Sequence, residues 1–135
     1  MADKNSFIQS VNTGYTFKGE SFVVGAAILN GEVLSEALVR LPLKTLNRHG
    51  LIAGATGTGK TKTLQVIAEG LSNASVPVMV MDIKGDFSGI AEQGSLNDKI
   101  KERYGKMALE YVPGSFPVEL MSLSEEKGVR LRATV

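Results

Sequence analysis

The sequence predicts an α/β fold: a parallel sheet with helices on both faces, incomplete over this length and preceded by a small antiparallel β element. Three observations predict it. A short apolar run, GLIA at Gly50 to Ala53, leads straight into the glycine-rich stretch GATGTGKT at Gly54 to Thr61. Leu64, Ile67, Ala68 and Leu71 then recur at i, i+3, i+4 and i+7, one face of a helix. VPVMVM, from Val76 to Met81, is the nearly unbroken apolar run of a parallel strand covered by helices on both faces. Strand, helix and strand in succession make a βαβ unit, which closes right-handed with its strands parallel.

Taken in order, residues 1–41 are expected to form the small β-rich element and 42–135 the first part of the larger one. From Phe7 to Leu46 short apolar runs are broken by the turn signals NTG at Asn12 to Gly14, KGE at Lys18 to Glu20, and Asn30-Gly31. Asn-Gly between two apolar runs is the strongest short hairpin signal. Ser21 to Leu29 and Glu32 to Leu41 are therefore expected as antiparallel strands, although LSEALVRL in the second fits a helical period equally well. The helix begun at Lys60 ends at Ser72 to Ser75, before the Val76 to Met81 strand. Ser95 with Asp98 three positions on reads as a capping-box variant opening a helix over LNDKIKERYG, with Leu96, Ile100 and Tyr104 inward and Gly105 closing it. Leu109 to Val112 and Val118 to Leu123 read as two further strands separated by PGSFP. SEEKG reads as a turn, and VRLRATV runs to the last residue without a stop signal.

Composition narrows the class without deciding it. The chain has 135 residues, 43% hydrophobic and 21% charged, with a formal net charge of +1, so bulk charge neither demands nor forbids a polyanionic partner. Without cysteine, disulfide frameworks and thiolate metal sites are excluded and a reducing, cytoplasmic setting is expected. The apolar runs fall far short of the roughly 20 residues of a membrane helix, so no membrane partner is expected. His49 is the sole histidine and has no second ligand with which to form a metal site. The basic residues, Arg40, Lys44 and Arg48, then Lys99, Lys101, Arg103 and Lys106, are not interleaved with aromatics and read as solvated faces.

GATGTGKT explains why three glycines, three threonines and one lysine stand together. A glycine-rich loop leaving a strand and entering a helix presents several backbone amides to one region, where the helix dipole also favours negative charge. The pattern is G-x-x-x-x-G-K-[ST], the phosphate-binding P-loop. Gly54 and Gly59 hold its fixed glycine positions, and Ala55, Thr56, Gly57 and Thr58 supply the backbone between them. Lys60 is the ammonium for the β- and γ-phosphates, and Thr61 places a hydroxyl where it can ligate Mg²⁺. Thr63, one turn on, is a candidate for the α-phosphate. ATP and Mg²⁺ are the expected cofactors. A second constellation is DIKGDFSG at Asp82 to Gly89. Asp82 ends the VPVMVM strand, where open α/β sheets place their ligands. It is either a partner for Mg²⁺ or an attacking water, or a cap on the following turn. Asp86 shares that role or caps the next helical turn, and Lys84 reads as a solvated or intersubunit residue.

NRHGLIAGATGTGKTKTLQVIAEGL followed by VPVMVMDIKGDFSGIA resembles the HerA/FtsK group of P-loop ATPases, in particular its YjgR-like branch, and VRLRATV is similar to a segment of that branch. The resemblance runs from about Leu41 to the end. It implies an ASCE-type P-loop NTPase, often assembled as a homo-oligomeric ring, that couples ATP hydrolysis to movement of DNA. Gly54 to Thr61 is then the Walker A loop, and Asp82 to Asp86 corresponds to the family's D-x-x-G-E signature, with Asp86 in place of the usual Glu. The family's Walker B strand, ending in Asp-Glu, is expected farther downstream than Val135. Glu125 and Glu126, which follow MSLS, read as a turn instead. ATP binding with little or no turnover is therefore expected of this chain alone.

Three other readings compete. A non-catalytic module would use the nucleotide only to order an assembly interface. In a GTPase-like switch, DIKG would serve as D-x-x-G, but Lys60 and Asp82 stand too close for an effector loop and strand, and no N-K-x-D follows. A small kinase would draw lid arginines from Arg130 and Arg132, yet nothing marks an acceptor site.

Overall fold

The computed structural model describes residues 3–122 and 129–130. Its first element is α1, Lys4–Tyr15, whose Asp3 cap accepts from the Ser6 amide at 3.2 Å. This corrects the expectation of loops and turns there: the NTG at Asn12 to Gly14 lies inside the helix. Packing overrides local propensity, because α1 lies against the second hairpin strand and Lys4 pairs with Glu32 at 2.6 Å.

The hairpin follows as read. Strands β1, Ser21–Leu29, and β2, Glu32–Pro42, pair antiparallel from Leu29↔Glu32 to Ser21↔Pro42, with irregularities at Val23/Gly25 and Ala26/Ala27. Asn30 and Gly31 have φ of 51° and 83°, the left-handed pair of a type I′ turn. The ambiguous second run is thus a strand, and its Leu34 and Ala37 are among the most buried residues described. A single 3₁₀ turn, Leu43–Thr45, leaves the sheet.

Helix α2, Lys60–Asn73, begins at the expected residue. Its end is a Schellman-type closure: the Val76 amide donates to the Leu71 carbonyl at 2.9 Å while Ser75 takes the left-handed conformation, φ 60°. Ala68 faces the core, and Gln65 is buried beside it with its side-chain oxygen accepting from Lys62 Nζ at 2.7 Å. Gly70 meets β1 so closely that a Cβ there would clash with the edge of the Phe22 ring. This contact fixes α2 on the hairpin.

Neither Gly50 to Ala53 nor Val76 to Met81 is paired into a ladder among the described residues. Parallel strands of this composition need neighbours on both edges and cover on both faces. Here Leu51 is 89% exposed and Met81 86% exposed, so the chain shows the apolar content of such strands without their neighbours. Helix α3, Asp98–Lys106, starts later than Ser95 because Asn97 is the cap, accepting from the Ile100 amide at 2.9 Å. It also passes through Gly105, and Ala108, φ 51°, makes the left-handed turn instead. Tyr104 meets Tyr111 edge to face at 5.1 Å, and the Tyr111 hydroxyl abuts Gly94. Leu109 to Val112 carries no strand, and among the described residues the run from Val118 is paired only at β3, Met121–Ser122, parallel to β4, Val129–Arg130. The expected SEEKG turn, Glu125 and Glu126, and the chain after Arg130 lie outside the described residues. Among the described residues, no helix is long and apolar enough to cross a membrane.

Candidate functional site

The glycine-rich loop is built on close approach and left-handed backbone. A Cβ on Gly54 would lie 2.6 Å from Thr58 Oγ1, inside any normal contact. Gly59 caps α2 with φ 95°, a conformation that glycine adopts without steric penalty. Between them the Thr58 hydroxyl donates to the Ala55 carbonyl at 2.8 Å, and the Thr58 amide reaches the same oxygen at 3.4 Å. The loop therefore curls around Ala55 O.

Lys60 folds onto that same point. Its Nζ donates to Ala55 O at 2.7 Å, which holds the ammonium over the loop. An ammonium has three donors, so one bond to Ala55 leaves two for phosphate oxygens. At the start of α2 the amides of Gly59, Lys60, Thr61 and Lys62 have no protein acceptor, whereas the Thr63 amide already donates to Gly59 O at 2.9 Å. These are the orphan donors of a helix N-terminus, the groups that accept an anion. The Thr63 hydroxyl is engaged within the helix, donating to Gly59 O at 3.2 Å, and the Thr61 hydroxyl has no bond.

A cavity of about 210 Å³ brings Thr61 together with Asp82 and Asp86. Leu64, Val80, Met81, Ile83, Lys84 and Phe87 complete its walls, while Gly54 to Lys60 lie outside its lining. Asp82 is a loop staple here: Oδ1 accepts from the amides of Lys84 at 3.2 Å and Gly85 at 3.0 Å, and Oδ2 accepts from Phe87 at 2.7 Å. The Phe87 bond, with those from the neighbouring amides, holds the Asp82 carboxyl below its usual value. Gly85, φ 75°, makes the turn that aims these amides inward. Asp86 is exposed, and its carboxylate has neither hydrogen bond nor ion pair. Lys84, read from the sequence as solvated, is exposed yet lines the cavity beside it.

The sequence reading missed Phe87. This residue is 8% exposed, and its amide supplies the shortest bond to Asp82. A lone aromatic following an Asp-rich turn was the available signal. Among the described residues no three His, Cys, Asp or Glu side chains gather into a metal cage. The donor set that remains, one hydroxyl and one unbonded carboxylate beside an anion-accepting helix start, suits Mg²⁺ held jointly with phosphate oxygens.

With this geometry in place, a comparison with protein families matches residues 28–135 to the model described as Helicase HerA-like C-terminal. The match starts within β1 and takes in the loop, α2 and the Asp82 to Phe87 turn. No curated protein and no solved structure gives a match.

Proposed function

The chain belongs to the helicase HerA-like C-terminal family, and on that premise we propose that it is the ATP- and Mg²⁺-binding portion of a helicase-like, DNA-translocating ATPase. The observation that carries the reading is the start of α2: four successive amides without acceptors, beside a lysine ammonium held on Ala55 O. The cradle fits the group. Backbone amides bind phosphate oxygens, Lys60 bridges the terminal phosphates with its two remaining donors, and Thr61 offers its hydroxyl to the metal. When bound, Mg²⁺ neutralises charge on the β- and γ-phosphates. By sequence position Lys60, Asp82 and Asp86 are the candidate catalytic side chains, Gly54 to Thr61 and Thr63 the nucleotide contacts, and Thr61 with one of the two aspartates the metal contacts. The P-loop fold with its parallel sheet is part of the same proposal. So are the YjgR-like branch, assembly into a homo-oligomeric ring and action on DNA, all of which rest on the sequence resemblance.

Calorimetric titration with MgATP and MgGTP, on the full chain and on Lys60→Ala, tests the reading. Saturable heat with ATP, weakened in Lys60→Ala, is expected; no heat beyond dilution for folded protein overturns it. A turnover assay on the same proteins is expected to give little or no hydrolysis. One observation favours a second reading, a nucleotide-ordered assembly module: the apolar run beside the cavity is uncovered, with Met81 86% and Ile83 99% exposed. Under that reading sedimentation changes on adding ATP while turnover stays absent.

A further inference from the structure

The two aspartates of DIKGD have different environments although the cavity brings them together. A carboxylate has about four lone-pair sites. Asp82 already uses three of them on the amides of Lys84, Gly85 and Phe87. Those amides belong to the loop on which Asp86 is carried, and Phe87, next to Asp86, is buried and anchors it. Asp86 uses none of its lone pairs.

We propose that Asp82 is a positioning residue whose three backbone hydrogen bonds fix the 82–87 loop, and that Asp86 is the carboxylate presented across the cavity, with Thr61, to a nucleotide-bound Mg²⁺. The assignment rests on the nucleotide reading above and reverses the roles that sequence position gives, in which the strand-end aspartate is the metal partner. It follows from occupancy: a carboxylate whose oxygens are turned into its own loop must break amide bonds to take a cation, whereas an unbonded one need only lose water. The short side chain of Asp86 also makes its reach depend on where the loop holds its backbone. Loosening Asp82 therefore acts on the metal through Asp86.

The test uses the full chain, with amide hydrogen exchange and calorimetry with ATP in the presence and absence of Mg²⁺. Asp82→Asn, which replaces one acceptor oxygen by a donor, is expected to speed exchange at Lys84, Gly85 and Phe87 at least tenfold. It should reduce the Mg²⁺-dependent gain in ATP affinity severalfold and leave affinity without Mg²⁺ unchanged. Asp86→Asn is expected to leave those exchange rates within twofold of the parent and to abolish the Mg²⁺-dependent gain. Asp86→Glu should restore part of that gain, a rescue that a purely structural role for Asp86 does not give. Unchanged exchange in Asp82→Asn with the Mg²⁺ gain lost makes Asp82 itself the ligand and overturns the proposal. So does Asp86→Asn with the gain intact, which decides the matter even should Asp82→Asn fold poorly. No ATP binding by the parent chain sinks the nucleotide reading instead, and is told apart because binding is lost before any substitution.

Discussion

Gly54 is demanding for a reason of space, specific to Thr58, rather than of backbone conformation. The backbone at Gly54 is not left-handed, so the requirement is one of space. A Cβ there stands 2.6 Å from Thr58 Oγ1, and that hydroxyl is itself tied to Ala55 O at 2.8 Å, the oxygen that also holds Lys60. Overpacking of this kind costs about 1–3 kcal/mol. The loop is exposed and can yield, so the lower half of the range applies, and about 1–2 kcal/mol corresponds to a loss of roughly 5- to 30-fold in MgATP affinity. Thr58→Ala alone removes the obstructing oxygen and leaves the Thr58 Cβ position 3.6 Å away, an ordinary contact. Its own cost, one exposed hydrogen bond, is about 0.5–1.5 kcal/mol. Gly54→Ala combined with Thr58→Ala is therefore expected to bind as Thr58→Ala does, a coupling of about 1–2 kcal/mol between neighbours. Calorimetric titration of the four proteins, with circular dichroism to confirm α2, reads the cycle. Parent-like binding by Gly54→Ala, or a double variant no better than Gly54→Ala, refutes the steric account.

Gly70→Ala and Gly105→Ala are the same change in two helices with opposite expected signs. Gly105 faces open space, and alanine there should stabilise by about 0.5–1 kcal/mol; at Gly70 a similar propensity gain meets the Phe22 ring at a cost of about 1–3 kcal/mol, so thermal melts should show loss at 70 and gain at 105. Burial raises the Glu69 carboxyl, partly offset by Lys62. A folded-state value above the unfolded one means the folded chain holds its proton longer, so stability falls as pH rises from about 4.5 through the raised value. Glu69→Gln should flatten that slope in denaturant melts; an unchanged slope refutes it. Met79→Ser with Met81→Ser, at positions 78% and 86% exposed, should change stability by no more than about 0.5 kcal/mol. A loss well beyond that, measured in urea, means the run is already packed.

Local rules carried some elements whole and others only in part. The hairpin was legible because Asn30-Gly31 fixes its turn and register together, and α2 because its glycine loop and its 3.6-residue period agree on the first residue. Helix α1 was missed: Asn12, Thr13 and Gly14 read as a turn, and the contrary signal, Phe7, Val11 and Tyr15 at steps of four after the Asp3 cap, was weaker than the packing on β2 that decides it. Asn97 displaced Ser95 as a cap because both residue types serve as N-caps, each for its own starting turn, and sequence alone does not choose between them. At the candidate site the sequence named Thr61, Asp82 and Asp86, which line one cavity, but not which of their oxygens are already bonded. The reading left Asp82 open between metal partner and cap; only the positions of the Lys84, Gly85 and Phe87 amides show the staple.

The uncovered apolar run and the proposed nucleotide site are one surface. Val80, Met81 and Ile83 wall the cavity that holds Thr61 and Asp86, and the last two of these three are among the most exposed apolar side chains described. A strand paired along 76–81 would gain its ladder bonds and at the same time close the cavity from that side. Closing it would exclude water from the ground between Thr61 and Asp86, where the charge of a proposed metal and its phosphates would be felt more strongly at lower dielectric. If the chain binds nucleotide as proposed, phosphate affinity would reside in the loop and α2, which are formed, whereas control of the terminal phosphate would depend on what covers the 76–81 run. On the proposed reading, binding and turnover are therefore separable: substitutions in Gly54 to Thr61 should act on the first, and cover over Val76 to Met81 on the second.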